Sequence, residues 1–544
     1  MIKEDTIAAI ATAPGEGGIG IVRISGDKAL DILKKIFVPA SSKIENRRLS
    51  YGHVVDPESG RTIDEVMAVY MKGPFSYTAE DVVEVQCHGS MISLRNILDL
   101  VIKSGAVLAE KGEFTKRAFL NGRLDLSQAE AVIDLIRAKS EKTFDVALNQ
   151  LSGAFSDKIR EIREDLTDIL VDLTVNIDYP DEDIEEMTYE KLTSSVRNVK
   201  EKISELLSTA DTGRIIREGL SVSIVGKPNV GKSSLMNVLM GENRAIVTDI
   251  PGTTRDIIEE SMVIKNIPVV ITDTAGIRDT EDIIEKIGIE KSMTALSRAD
   301  LIIFVIDASR PLEEEDMRMM SHVAGRRAIV LLNKSDKGLA ADRALIEKEL
   351  PSAVIIETSV TGGRGIEELT QVIEDMVYGG KVSQKENLMV TNVRHKNLLK
   401  EGQKCLSDAL NMADMREPLE FIEIDVNRCY EAAGEIIGQT ADADIIDKVR
   451  DRAKLGALPT SVRSNKNAML NALLKERRLE LAFEGQRWFD LVRLDKVEEV
   501  MNAVYAKDSG RKAQIYTFDK NSYRLPIPQS VIDANDKIHQ NPGY

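Results

Sequence analysis

Residues 226–233 read GKPNVGKS, and they fit the pattern G-x-x-x-x-G-K-[S/T] of a phosphate-binding loop. The loop follows the apolar run SVSIV at 221–225 and precedes the helical pattern SLMNVLMG at 234–241. When such a loop lies between a strand and a helix, its backbone N–H groups and the helix N-terminus surround phosphate oxygens. The pattern therefore predicts that Lys232 reaches the β- and γ-phosphates and that Ser233 gives its hydroxyl to Mg²⁺.

The wider segment, residues 218–380, alternates short apolar runs with helical patterns. The runs lie at 221–225, 268–272, 301–306, 328–332 and 353–357. Short apolar runs are typical of parallel strands that are buried on both faces. Their alternation with helices predicts a doubly wound α/β sheet.

Two further motifs indicate which base this domain binds. NKSD at 333–336 matches the N-K-x-D pattern with which GTPases recognise guanine. Asp336 can accept hydrogen bonds from the ring N1–H and the exocyclic amine of guanine, a pair that adenine does not offer. Ser359 begins the stretch Ser-Val-Thr, which resembles the loop that contacts the guanine carbonyl.

Two stretches between these motifs are expected to meet the γ-phosphate. Asp273-Thr274-Ala275-Gly276 resembles one of them, and TDIPGTTRD at 248–256 contains Thr254, a candidate Mg²⁺ ligand. The next residue is Ile277, whereas Ras-type enzymes have a Gln there that orients the attacking water. Because Ile277 cannot form a side-chain hydrogen bond, the residues alone leave the water-orienting group open. The residues predicted to bind the nucleotide are Gly226, Asn229, Val230, Gly231, Lys232, Ser233, Ser234, Thr248, Asp249, Ile250, Pro251, Gly252, Thr253, Thr254, Asp273, Thr274, Ala275, Gly276, Asn333, Lys334, Asp336 and Ser359.

The segments on either side of this domain have helical patterns. In residues 121–217, apolar residues recur at spacings of three and four from Phe144 to Leu173, which predicts one long amphipathic helix. A second helix is predicted from Leu192 to Leu206, and the pattern returns to helix over 381–449. We expect one helical bundle interrupted by the α/β domain.

Residues 1–120 differ in pattern from both. Short apolar runs and turn residues alternate with helical stretches, with runs at 19–26, 65–71 and 81–89. This mixture predicts an N-terminal α+β domain, so the whole chain reads as a multidomain α+β and α/β protein.

Composition narrows the functional classes. The net charge is −17, which argues weakly against a broad nucleic-acid-binding face, although a local basic patch is compatible with an acidic total. The sequence contains no run of about 18 apolar residues, so it predicts no membrane-spanning helix. Three widely spaced cysteines do not form a disulfide framework, and we expect a cytoplasmic protein.

Three N-terminal stretches carry a more specific resemblance. They are APGEGGIGIVRISG at 13–26, SYTAEDVVEVQCHG at 76–89 and GEFTKRAFLNGRLDLSQAEA at 112–131. With the GTPase motifs, they make the chain from residue 1 to about 449 resemble the MnmE (TrmE) family of tRNA-modification GTPases. The resemblance implies a dimerising folate-binding domain, a helical domain, and a GTPase domain inserted into the helical one.

The family resemblance also implies activity and partners. Members are potassium-activated GTPases that act with the flavoprotein MnmG and a one-carbon donor, 5-formyltetrahydrofolate or a related tetrahydrofolate. Together they modify C5 of the wobble uridine, U34, in certain tRNAs. The resemblance also implies a homodimer whose GTPase domains meet across their nucleotide faces.

The resemblance assigns further site residues. Glu285 matches the glutamate that takes the place of the missing Gln and orients the attacking water; a solvated helix charge is the alternative reading. The matching K⁺ ligands are Asn229, Thr248, Ile250 (through its backbone carbonyl) and Thr253. The matching folate-binding residues are Arg23, Glu84 and Arg123.

Residues 450–544 do not fit this family. LLKERRLELAFEGQRWFDLVRL at 473–494 and RLPIPQSVIDANDKIHQNPGY at 524–544 resemble the C-terminal end of the SusD/RagB family of glycan-binding lipoproteins. The segment has 17 basic and 12 acidic side chains, whereas the chain as a whole is acidic. It reads as a fused, foreign tail, mainly helical or irregular.

The tail leaves the final function open. Members of the MnmE family end in Cys-Ile-Gly-Lys, but no cysteine follows Cys429 in this chain. One alternative is therefore a GTP-hydrolysing switch that cannot complete the tRNA modification. A second alternative, suggested by the tail alone, is a glycan-binding surface protein.

Overall fold

The computed structural model describes residues 5–40, 43–178, 189–243, 260–271, 299–379 and 388–439, and the single residues Ala468, Ala472 and Lys475. The chain divides into two compact units, Met1–Thr440 and Ala441–Tyr544, and the elements below belong to the first. Among the helices of the described residues, none combines the length and the hydropathy that a membrane span requires.

The N-terminal domain is a mixed sheet with helices. Its elements are β1 (Ile7–Ile10), β2 (Gly17–Ser25), α1 (Ala29–Ile36), β3 (Phe37–Pro39), β4 (Ser50–Val55), β5 (Thr62–Met71), β6 (Val82–Gly89), α2 (Met91–Lys103), β7 (Val107–Leu108) and α3 (Glu113–Leu120). The strand order is β3–β4–β5–β6–β2–β1–β7, and every pair is antiparallel except β1–β7. Side chains alternate between the faces of a strand, so Val22 and Ile24 are buried while Arg23 lies on the opposite face.

The helical domain comes from two parts of the chain. Its elements are α4 (Leu126–Ile136), α5 (Glu141–Ser152), α6 (Ala154–Asp178), α7 (Tyr189–Ser208), α8 (Ala210–Glu218) and, after the α/β domain, α13 (Val393–Asp414) and α14 (Leu419–Ile437). Helix α14 packs against α6 and α13, and α13 packs against α7. The two parts therefore share one core.

The prediction of one helix from Phe144 to Leu173 is wrong. Gly153 has φ +100° and ends α5 in the left-handed conformation, after which α6 begins at Ala154. Phe144, at the start of the predicted stripe, is 46% exposed rather than buried. Apolar spacing indicated helix correctly, but it did not show where the helix axis changes direction.

A buried polar cluster joins three helices of this domain. His395 Nε2 lies 2.8 Å from Glu130 Oε2, and Arg394 Nε lies 2.9 Å from Glu130 Oε1. The ring of His395 stacks on Phe155 with a centroid distance of 5.1 Å. Arg394 also donates to the carbonyls at the end of α14, including that of Ile436 at 3.0 Å. The cluster therefore links α4, α13 and the last turn of α14.

The inserted α/β domain has the predicted doubly wound sheet. Its elements are β8 (Leu220–Val225), α9 (Lys232–Asn243), β9 (Glu260–Ile264), β10 (Ile267–Ile271), β11 (Leu301–Asp307), α10 (Glu314–Val323), β12 (Ala328–Asn333), α11 (Arg343–Glu349), β13 (Val354–Glu357) and α12 (Ile366–Tyr378). The order is β13–β12–β11–β8–β10–β9, and all pairs are parallel except β9–β10. The sequence analysis did not identify the antiparallel edge strand β9.

The sheet order determines where a ligand can bind. After β8 the chain forms β9 and β10 on one side of it and then β11 on its other side, so the strand order reverses at β8. In an open α/β sheet, ligands bind at the carboxyl ends of the strands where the order reverses. The loop after β8 is the one that carries GKPNVGKS.

Candidate functional site

The phosphate loop runs from the end of β8 to the start of α9. Gly226 has φ +149° and Gly231 has φ +106°. A Cβ at Gly226 would collide with the carbonyl oxygen of Val305, and one at Gly231 would collide with the side-chain nitrogen of Asn333. Both glycines are therefore required by backbone conformation and by space. Asn229 also adopts a left-handed conformation, with φ +61°.

Lys232 is the first residue of α9, and Ser233 and Ser234 lie in the same turn. The Nζ atom of Lys232 donates to the carbonyls of Gly226 and Lys227, at 2.7 Å each. Burial lowers the pKa of Lys232, and the charge of Glu315 opposes that shift. A phosphate beside this ammonium would favour its charged form.

Asn333 bridges the phosphate loop and the loop after β13. Its Nδ2 donates to the carbonyl of Val230 at 2.7 Å, and its Oδ1 accepts from the backbone N–H of Val360 at 3.2 Å. The side chain of Thr358 donates weakly to the same oxygen at 3.4 Å. Asn333 is only 3% exposed. In this structure it holds two loops together, and its predicted contact with the nucleotide stays a prediction.

Lys334 makes a second link between the same regions. Its Nζ donates to the carbonyl of Asn229 at 2.8 Å and to Asp307 Oδ2 at 2.7 Å. Lys334 has φ +62°, so the two residues joined by this bond are both left-handed. The sequence analysis did not single out Asp307, although it directly follows the predicted strand 301–306. Its contact with Lys334 joins the end of β11 to the residue that follows β12.

Asp336 lies in a 3₁₀ turn beyond Lys334. The hydroxyl of Ser359 donates to Asp336 Oδ1 at 2.7 Å. This hydrogen bond lowers the pKa of Asp336, so the carboxylate is ionised at neutral pH. A charged carboxylate that is already oriented by a hydroxyl can accept a pair of N–H donors from a ligand.

A cavity of about 190 Å³ lies between the phosphate loop and the start of α10. Its lining includes Asn229, Asp307 and Lys334. Beside it, Lys227 Nζ lies 2.7 Å from Asp316 Oδ2, and Asp316 is 3% exposed. This ion pair anchors the first half of the phosphate loop to α10.

The three predicted folate-binding residues come together on the N-terminal domain. Arg23 Nη2 lies 2.8 Å from Glu84 Oε1. The guanidinium groups of Arg23 and Arg123 lie 5.1 Å and 5.0 Å from the centre of the Tyr77 ring. Phe114 also belongs to the cluster, with its ring centre 5.6 Å from the Arg23 guanidinium.

The sequence analysis missed Tyr77 and Phe114 as members of this cluster. Both lie in the stretches that carry the family resemblance, SYTAEDVVEVQCHG and GEFTKRAFLNGRLDLSQAEA. Their place in these motifs, beside the charged residues predicted to bind folate, could have identified both aromatic residues as candidate members of the cluster.

Several predictions concern residues outside the described part of the chain. They are Thr248, Asp249, Ile250, Pro251, Gly252, Thr253, Thr254, Asp273, Thr274, Ala275, Gly276 and Glu285. Within the part that the structure describes, no three His, Cys, Asp or Glu side chains are grouped to hold a metal ion. The predicted Mg²⁺ and K⁺ ligands are oxygens of Ser, Thr, Asn and a backbone carbonyl, none of which belongs to those four side-chain types. They therefore remain predictions.

Comparison with known families identifies the parts of the chain. A model described as the GTP-binding protein TrmE N-terminus matches residues 6–123, and the MnmE helical domain matches residues 126–450. The SusD family matches residues 429–544, which confirms the second resemblance and begins 21 residues earlier than predicted. The fold class predicted for the first three domains is confirmed.

Curated relatives and solved structures were also found. The tRNA modification GTPase MnmE of Alkaliphilus oremlandii is 52% identical over 82% of this chain and 98% of its own length. The tRNA modification GTPase MnmE of Clostridioides difficile is likewise 52% identical, with the same coverage. The G domain of the T. maritima FeoB iron transporter is 27% identical over 29% of this chain and 97% of that chain, with a TM-score of 0.22. The family matches and the two MnmE relatives, each 52% identical, show that the chain belongs to the MnmE family of tRNA modification GTPases.

Proposed function

We propose that this chain is a K⁺-activated GTPase that acts in modification of C5 of the wobble uridine of tRNA. The observation that carries the proposal is the coupled nucleotide site, in which Asn333 and Lys334 join the base-reading loop to the phosphate loop. Asp336, held by Ser359, would read guanine. Lys232 would bind the β- and γ-phosphates, and the hydroxyls of Ser233 and Thr254 would hold Mg²⁺.

The proposed K⁺ ligands begin with Asn229. Its backbone carbonyl is engaged by Lys334, so the side-chain amide is the oxygen donor that this residue still offers to a cation. Thr248, Ile250 and Thr253 would complete the set. A cation there would supply the positive charge that an arginine finger supplies in other GTPases.

The potassium proposal is tested by measuring GTP hydrolysis in KCl and in NaCl at equal ionic strength. We expect faster turnover in KCl, together with a loss of that difference in the Asn229→Ala variant. Equal rates of the unmodified chain in both salts would overturn the proposal.

Glu285 is proposed to orient the attacking water. The Glu285→Ala variant should keep its GTP affinity and lose about 10²-fold or more in the hydrolysis rate, as expected for a positioned catalytic group. Glu281→Ala is the matched control, because it removes a neighbouring acidic side chain without a proposed role. Similar rates in the two variants would contradict the assignment.

The N-terminal cluster is proposed to bind a tetrahydrofolate such as 5-formyltetrahydrofolate. The Glu84 carboxylate suits the N–H groups of a pterin, and the arginines suit the carboxylates of a glutamate tail. The rings of Tyr77 and Phe114 would stack on flat parts of the ligand. Calorimetric titration with 5-formyltetrahydrofolate should show binding that is lost in Arg123→Gln and retained in Arg61→Gln, a variant of an exposed arginine elsewhere on the domain.

The proposed partners are a second copy of the chain, the flavoprotein MnmG and tRNA, in the cytoplasm. The family matches and the relatives favour this function over both alternatives, since the glycan-binding hypothesis rests on the tail alone. Expression in a strain without its own MnmE tests the outcome. Restored modified uridine would support the full function, whereas GTP turnover without restoration would select the switch that cannot complete modification.

A further inference from the structure

The N-terminal domain carries a patch of basic and aromatic side chains that the proposed GTPase and folate sites do not use. We call it the basic-aromatic surface: Lys43, Arg47, Arg48, Tyr51, Lys72 and Phe75, all exposed. It is built from the segment before β4, the first residues of β4 and the start of the loop after β5. Two bonds join these segments: the Arg47 N–H donates to the Tyr70 carbonyl at 2.7 Å, and the Lys72 N–H donates to Asn46 Oδ1 at 3.0 Å.

Phe75 is the most exposed large apolar side chain in this region, at 76%. The guanidinium of Arg47 lies 5.7 Å from the centre of its ring and also donates to the Phe75 carbonyl. A single exposed apolar residue is ordinary. Here, however, a cation orients the ring from one side, while most of the side chain remains accessible. Such a ring is a stacking platform for a flat, electron-rich partner.

A cavity of about 410 Å³ is formed by the segment that includes Arg47, between residues 40 and 51. Its lining includes Lys43, Arg48 and Tyr51, together with the partly apolar wall of Leu49. Arg48 pairs with Glu45 at 2.9 Å, but its side chain is 72% exposed. An exposed pair of this kind contributes little stability, so Arg48 can exchange its partner for a phosphate.

The local charge also differs from that of the chain. Lys43, Arg47, Arg48 and Lys72 face one acidic residue of the same segments, Glu45, whereas the chain carries −17 overall. Glu65, on the neighbouring strand, hydrogen-bonds Tyr51. The surface thus keeps a positive balance in an acidic protein.

The position of this surface connects it to the proposed one-carbon site. Phe75 is two residues before Tyr77 in the same loop, and two residues of extended chain span at most about 7 Å. Tyr77 is the ring on which Arg23 and Arg123 converge. A nucleic-acid base stacked on Phe75 would therefore lie next to the proposed folate cluster.

We propose that the basic-aromatic surface binds a single-stranded RNA loop, with a base stacked on Phe75 and phosphates paired with Lys43, Arg48 and Lys72. The proposal rests on the proposed tRNA function, which it deepens by naming the contact surface. Single-stranded RNA is recognised by stacking on aromatic rings combined with a basic groove, and an RNA duplex hides its bases from such a platform. An acidic peptide would use the cations and leave the aromatic platform without a role.

The test measures binding of the full chain by fluorescence anisotropy, using a labelled RNA hairpin with an unpaired loop and a fully paired RNA duplex of equal length. Phe75→Ala should weaken hairpin binding about tenfold without changing its salt dependence, because stacking is uncharged. The plot of log K against log salt has a negative slope, and Arg48→Gln should make it shallower by about 0.7, the value for one phosphate contact on a single strand. Arg318→Gln, an 80% exposed arginine on α10, is the control and should bind like the unmodified chain.

The outcomes separate this proposal from the one on which it rests. If the unmodified chain binds the hairpin and both variants bind it equally well, the basic-aromatic surface is wrong while tRNA binding stands. If the unmodified chain does not bind the hairpin, the proposed tRNA function is contradicted, and the proposal of an RNA-binding surface is overturned with it. Displacement of the hairpin by polyglutamate, with no loss in Phe75→Ala, would indicate an acidic peptide surface and would also overturn the proposal. Unchanged urea-unfolding curves in both variants verify that the N-terminal domain folds, since GTP hydrolysis is assigned to the α/β domain.

Discussion

Substitution of Asn333 by alanine tests how far the two halves of the nucleotide site depend on one side chain. The change removes the donor to the Val230 carbonyl and the acceptor for the Val360 N–H. Asn333 itself is only 3% exposed, so both groups lose their partner in the interior. A buried backbone group left without a partner costs about 1–3 kcal/mol, so the two together cost about 2–6 kcal/mol. Water can enter the space vacated by the side chain and satisfy part of this loss, so we expect a value near the lower end.

A cost of about 3 kcal/mol corresponds to about a hundredfold change in an equilibrium constant. We expect the loss to appear as a lower unfolding free energy of the α/β domain and as at least tenfold weaker GDP binding. Urea unfolding and displacement of a fluorescent GDP analogue measure the two quantities. Asn427→Ala, on the outer face of α14, removes a side chain whose only described bond is an exposed one of 3.4 Å, and should change neither.

Asn333→Asp separates the two bonds of the bridge. A carboxylate keeps an acceptor for the Val360 N–H but presents an oxygen to the Val230 carbonyl, where the amide presented a donor. This variant should therefore impair GDP binding as strongly as alanine does. If both variants bind GDP within twofold of the unmodified chain and unfold at the same urea concentration, the bridge does not support the site and the reasoning is refuted.

Three further predictions follow from charges in the structure. Asp307→Asn should speed GDP dissociation about fivefold, since its partly exposed lysine pair contributes about 1 kcal/mol, and an unchanged stopped-flow rate would contradict that role. Asp336→Asn should abolish the preference for GTP over ATP in competition binding, and retained selectivity would remove this residue from base reading. Stability should fall on acidification. Burial raises the pKa of Glu130, but the hydrogen bonds and charges of His395 and Arg394 together outweigh it and lower that pKa to about 2, from 4.5, while burial lowers the pKa of His395 from 6.5. Both pKa values are depressed in the folded state, so this stability is present above the unfolded values and is lost as the pH falls below about 6.5, then further from about 4.5 toward 2. In Glu130→Gln the unfolding free energy should fall less steeply between about 4.5 and 2, whereas the fall below about 6.5 should persist, because burial lowers the pKa of His395 and Glu130 raises it.

The fold was predictable where its signals are local. The apolar runs of the α/β domain predicted β8, β10, β11, β12 and β13 within a residue or two, because strands buried on both faces are continuous apolar segments. The edge strand β9 was missed, because ESMVI includes polar residues and follows no recognisable turn signal. The break at Gly153 was missed because apolar spacing continues through it on either side.

The proposed folate cluster shows a different limit of sequence reasoning. Motif matching named Arg23, Glu84 and Arg123 individually, but their distances depend on the pairing of β2 with β6 and on the packing of α3. In that pairing Arg23 is directly opposite Glu84, and cross-strand neighbours on one face interact. Tyr77 and Phe114 become part of the site only through this arrangement, which no local pattern describes.

The N-K-x-D motif shows why residue type alone does not give a role. Sequence reasoning assigned Asn333, Lys334 and Asp336 together to base recognition. In the structure the first two side chains are directed to the phosphate loop, through the carbonyls of Val230 and Asn229. The carboxylate of Asp336 instead accepts from the hydroxyl of Ser359, and its recognition of guanine stays a prediction. One motif therefore fixes the loop after β12 to the phosphate loop and also carries the proposed base-reading group. A defect in GTP affinity and a defect in base selectivity must accordingly be measured separately before either is assigned to a residue of this motif.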